Sequence, residues 1–144
     1  MDQGDPVAGY RSLASGCHVT QLGPAFFTKF LYFASSDSTS GPRPLILDQR
    51  VAASMRQLAS HVYEVPPVPP EDMAAWLWPK NGWSAHRYGE YIHFAHQTST
   101  QLHDLNNDWP DQADLLELAL FDNALRERRT WAVKHDPTTL VGPA

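Results

Sequence analysis

Proline and glycine fix where regular structure can run in this chain. Ser35 to Pro44 (SSDSTSGPRP) reads as a loop, and Glu64 to Asp72 (EVPPVPPED) as a stiff connection in extended geometry. Asn106 to Pro110 (NNDWP) is a third break, and the tail from Asp136 is expected to fray. Between the breaks the apolar spacing is helical. After Asp48 the apolar residues fall at Val51, Met55, Leu58, Ala59 and Val62, a core-facing stripe. From Ser84 to Leu105 the stripe is Tyr88, Ile92, Ala95 and Leu102. After Pro110 it is Leu115, Leu118, Ala119 and Leu125, with Asp111 and Asp114 expected in the first turn and Arg126, Arg128 and Arg129 in the last, as the helix dipole favours. No segment alternates convincingly with period two. The expectation is an all-α chain of about five or six helices.

A chain of 144 residues with 42% hydrophobic side chains suits one domain that buries roughly two thirds of its unfolded surface. A single cysteine, Cys17, excludes an internal disulfide framework. The start, MDQGDPVAGYR, lacks the charged and then apolar pattern of a signal peptide. The most apolar run, FFTKFLYFA, is interrupted by Lys29 and far too short for a membrane span. A soluble, cytoplasmic protein is the expectation. Net charge is −5, which by itself argues against a general nucleic-acid binder. The distribution is uneven: residues 1–62 hold five basic and four acidic side chains, and residues 63–144 hold six and twelve. A polyanion would meet the N-terminal half.

Within that half, two apolar segments flank a polar loop: QLGPAFFTKFLYFA and PLILDQRVAASM. Pro24 suits a first helical position, where its missing N–H would be unbonded anyway. The free amides of such a helix start, with the Gly23 turn, can cradle a phosphate. The plainer reading is a helix start after a tight turn. Asp48 suits an N-cap, and it also puts a carboxylate at a positive helix end, where it could stabilise a positive charge developing nearby. Lys29 reads equally as a helix lysine with its stem along apolar neighbours.

Together LGPAFFTKFLYFA and PLILDQRVA resemble the helix-hairpin-helix DNA glycosylases, most closely the bacterial 8-oxoguanine DNA glycosylase-like proteins. The resemblance is tight over Gly16–Met55 and looser over YGEYIHFAHQ and ADLLELALFD. It implies a hairpin that grips the DNA backbone, with contacts matched here at Gly23, Pro24, Ala25, Thr28, Arg43 and Arg50. It also implies a nucleophilic lysine, matched by Lys29, and a catalytic aspartate, matched by Asp48. The turn here is GPA where the family has a GVG-type turn, and alignment on that turn moves the lysine position nearer Phe27; Asp48 is the firmer assignment. Only about twenty residues precede the hairpin, so the helical domain is expected to lack part of the family's second lobe. The implied organisation is one helical domain over 1–144, with the hairpin and catalytic helices in 10–62 and C-terminal helices in 70–135.

The implied chemistry is cleavage of an N-glycosidic bond. Asp48 would stabilise the oxocarbenium-like sugar and orient water. Lys29 could attack the same carbon if its amine is neutral, which the apolar neighbours Phe26, Phe30 and Phe33 would favour. The partner is double-stranded DNA carrying a flipped damaged or modified base, 8-oxoguanine or a phage-type base, with no cofactor, no membrane and no obligate protein partner. Trp83, Tyr88 and Tyr91 are candidates to clamp that base, although aromatics at helical spacing equally read as core. His86, His93, His96 and His103, with Glu90 or Asp104, offer a metal-site alternative. A non-catalytic DNA-binding module is the other reading.

Overall fold

The computed structural model describes residues 4–16, 20–35, 41–62 and 70–122. Among them are six helices and no strand: α1 (Pro6–Gly16), α2 (Pro24–Ala34), α3 (Gln49–Val62), α4 (Pro70–Leu77), α5 (Ala85–Leu105) and α6 (Ala113–Phe121). The all-α expectation holds. Leu125, the three arginines of 126–129 and the tail from Asp136 lie outside the described residues, as does Cys17.

Local chemistry explains most helix starts. Gly23 is extended (φ −101°, ψ −177°) and Pro24 takes the first helical position of α2. Asp48 caps α3, its Oδ1 accepting from the Arg50 and Val51 amides at 2.9 and 3.0 Å. Ser84 caps α5 by accepting from the Arg87 amide. Pro70 opens α4, so the extended connection expected through Asp72 ends earlier: a proline that cannot continue a helix can still begin one.

Helices pack in the pairs α1 with α2 and α5, α6 with α3 and α5, and α3 with α4. Small residues allow α1 its close neighbours. A Cβ on Gly9 would lie 2.8 Å from Leu31 of α2, and one on Gly89 of α5 would lie 3.0 Å from Val7. The core gathers Tyr10, Leu45, Leu47, Val51, Met55, Tyr88, Tyr91, Ile92 and Leu120. Tyr10 stacks on Tyr88 with ring centroids 4.9 Å apart.

The α3 stripe is buried as expected at Val51, Met55 and Ala59, while Val62 at the helix end is exposed. The α6 stripe is rotated from its expected phase. Leu118 is 52% exposed, whereas Ala113 and Leu120 are buried and Leu116 packs on the core. Asp114 lies in the first turn of α6, but Asp111 precedes the helix and accepts from the Thr100 hydroxyl.

Candidate functional site

The segment Arg43–Asp48, which is neither helix nor strand, leads into α3, and its Pro44, Leu45 and Leu47 are buried. Buried backbone polar groups need partners, and here side chains from three helices supply them. From α5, His96 Nε2 meets the Arg43 carbonyl at 2.9 Å, Tyr88 donates to Leu45 and Tyr91 to Ile46, both at 3.0 Å. A carbonyl only accepts, so His96 carries its proton on Nε2. From α6, Glu117 Oε2 accepts the Ile46 amide at 2.9 Å. From α2, Thr28 Oγ1 lies 3.1 Å from both the amide nitrogen and the carbonyl oxygen of Leu47, and also meets its own Ala25 carbonyl.

This segment delivers Asp48. One carboxylate oxygen is held by two helix amides; the other has no hydrogen-bond partner among the described residues. The residue is half-buried, and the two cap bonds fix the orientation of its carboxylate.

Beside it lies a second set of charges. Asp114 Oδ2 accepts from Arg43 at 2.9 Å and from the Tyr32 hydroxyl at 3.1 Å, and the Arg43 guanidinium sits 4.7 Å from the Tyr32 ring centre. Burial raises the Glu117 carboxyl to about 7; the Ile46 amide and Arg43 oppose the rise, while Asp114 and Asp48 add to it. Near neutral pH this carboxyl exchanges a proton. Burial likewise raises the Tyr91 and Tyr88 hydroxyls, and that of Tyr10 to about 12, so all three remain donors.

Glu117 escaped the sequence reading because the stripe through Leu115, Leu118 and Ala119 puts it on the solvent side. The phase through Ala113, Leu116 and Leu120 turns it inward. An acid with a leucine on either side, Glu117 between Leu116 and Leu118, was the available signal.

The other expected residues separate. Gly23 is exposed and Pro24 and Ala25 half-buried at the start of α2, after Gln21, whose φ of +78° marks a left-handed turn residue. Arg43 and Arg50 are exposed, Arg50 lying over the Phe121 ring at 4.2 Å. Lys29 is exposed and forms no ion pair among the described residues. Phe26, Phe30 and Phe33 are themselves 44%, 51% and 69% exposed and do not enclose its amine. Two expectations need correction. Thr28 is fully buried, because its hydroxyl serves the Leu47 backbone; it is not at a DNA surface. Trp83, Tyr88 and Tyr91 are also buried, each with its polar atom bonded to a backbone carbonyl, so they form core and not a base clamp.

Of the histidines, His96 and His103 bond backbone carbonyls and His86 lies 3.9 Å from Glu90. Among the described residues no group of three or more His, Cys, Asp or Glu could hold a metal ion. No described helix is long and apolar enough to cross a membrane.

These features define an all-helical domain with a fixed, half-exposed carboxylate at the head of α3, following a Gly-Pro helix start. The family model described as "Putative 8-oxoguanine DNA glycosylase OGG-like protein" matches residues 1–121, through the last residue of α6, and the chain belongs to that family. No curated protein and no solved structure matches the chain.

Proposed function

We propose that the protein is a DNA N-glycosylase that releases a damaged or modified base, with Asp48 as its catalytic carboxylate. What carries this reading is the Asp48 side chain, fixed through one oxygen by its own helix and with no partner at the other among the described residues, in a chain of the OGG-like family. Departure of the base leaves positive charge on the sugar, and a preorganised carboxylate stabilises it without reorienting. The backbone amides of Gly23 and Ala25, with Arg43 and Arg50, would take DNA phosphates. Because the phenylalanines around Lys29 are exposed, direct hydrolysis is favoured over attack by its amine. Oxidised guanine is the first substrate to offer.

The test is base release from duplexes carrying 8-oxoguanine and a panel of other altered bases, scored as alkali-labile sites. Wild-type protein should release at least one base, and Asp48→Asn should lower that rate by roughly 100-fold or more while still binding the duplex. Asparagine also caps helices, so the fold should survive. Full activity in Asp48→Asn removes the assignment. The burial of Trp83, Tyr88 and Tyr91 favours a second reading, a DNA-binding module without chemistry. Steeply salt-dependent duplex binding with no abasic product would select it.

A further inference from the structure

The inward carboxyl of α6 touches the segment that presents Asp48. Glu117 Oε2 accepts the Ile46 amide at 2.9 Å, and Ile46 lies two residues before Asp48 in a segment that is neither helix nor strand. On the other side of Ile46 its carbonyl is held by Tyr91, and the next residue is held by Thr28. Among the described residues the bond at Ile46 is thus the one made to the backbone of this segment by an ionisable acid, Asp114 pairing instead with the Arg43 side chain. We infer that Glu117 is a positioning residue for Asp48, setting the placement of the α3 cap through the Ile46 amide according to whether its own carboxyl holds a proton.

The physical basis is a change in the hydrogen bond. An ionised carboxylate binds an amide N–H more strongly than a neutral carboxyl does. The same ionisation adds a negative charge near two others. The groups that act on Glu117 or feel its charge are Asp114 on its own helix, Asp48 and Arg43 on the segment before α3, Tyr32 on α2, and Tyr88 and Tyr91 on α5. Burial raises the three tyrosine hydroxyls, which keep their protons between pH 5 and 9, so the proton followed across this range is that of Glu117. Removing Glu117 alone by Glu117→Gln keeps an acceptor for Ile46 and removes the titration.

The role bears on catalysis only if Asp48 acts as proposed above, so the test reads position and activity separately. Amide NMR of the full chain is followed from pH 5 to 9 in wild type and in Glu117→Gln. In wild type the Ile46, Arg50 and Val51 amides should share a titration step near neutral pH, and the variant should lose that step while Ile46 stays protected from exchange. If the Arg50 and Val51 amides titrate identically in both proteins, the inference is overturned. Base release is then measured on the same two proteins. The wild-type kcat profile should carry the same neutral step, and Glu117→Gln should flatten it with KM unchanged. Glu117→Leu, which removes the acceptor, should lower kcat roughly 10–100-fold. Amides that respond as predicted in a protein releasing no base would remove the glycosylase reading and leave the positioning role standing. Amides that do not respond remove the positioning role whatever the activity.

Discussion

The Thr28 hydroxyl lies 3.1 Å from both the amide nitrogen and the carbonyl oxygen of Leu47, tying the middle of α2 to the residue before Asp48. One side-chain atom thereby meets both backbone groups of a buried residue outside any helix or strand, its single proton shared between the Leu47 and Ala25 carbonyls. Lys29 and Asp48, the two charged residues that suggested chemistry, are each the chain neighbour of one member of this pair. The backbone beside each is thereby linked through uncharged residues, while the Lys29 side chain itself is exposed on α2.

Thr28→Val keeps the shape and removes the hydroxyl, leaving the Leu47 amide and carbonyl buried and unbonded. Stability should fall by about 2–3 kcal/mol. Thermal unfolding should show Tm lowered by roughly 5–10 °C. Thr28→Ser should recover most of the loss.

The Asp48 cap separates from its proposed chemistry by substitution. Asp48→Ala should cost about 1 kcal/mol in chemical denaturation, whereas Asp48→Asn should cost only a few tenths, because asparagine accepts the same helix amides. Equal losses in the two variants would mean that the cap bonds contribute little.

Glu117 links stability to pH. Its carboxyl titrates at about 7 in the folded chain against 4.5 without the fold's burial, so the native state binds the proton more tightly. Its contribution is full below about 4.5 and is lost as pH rises through about 7. With partial access to water the loss is about 1–2 kcal/mol. Urea midpoints across this range should decline in wild type and decline less in Glu117→Gln.

Arg43 pairs with Asp114 at an open site, their side chains 46% and 30% exposed. Arg43→Gln should change stability by less than about 1 kcal/mol. If Arg43 meets a phosphate, the slope of log binding constant against log salt for duplex DNA should fall by about 1 in magnitude.

Lys29 sits on the outer side of α2 among exposed phenylalanines. Borohydride added during reaction with a cleavable duplex should trap no covalent adduct, in keeping with direct hydrolysis. A trapped adduct that disappears in Lys29→Gln would assign the amine as nucleophile.

Helix starts were legible in the sequence because they depend on neighbours a few residues apart: Pro24 after Gly23, Asp48 before Arg50 and Val51, Ser84 before Arg87. So was the helical character of the chain, and the α3 stripe. The inward face of α6 was not, because two phases of ADLLELALF are nearly equally apolar and only packing against α3 and α5 selects one. That selection makes Glu117 part of the site. For the same reason an aromatic pattern did not separate core from surface: Tyr88 and Tyr91 turn inward because the Leu45 and Ile46 carbonyls, more than forty residues earlier, need donors. Short-range rules determined where helices begin. Which of their side chains face Asp48 was decided by the long-range demand to bond a buried, unpaired backbone.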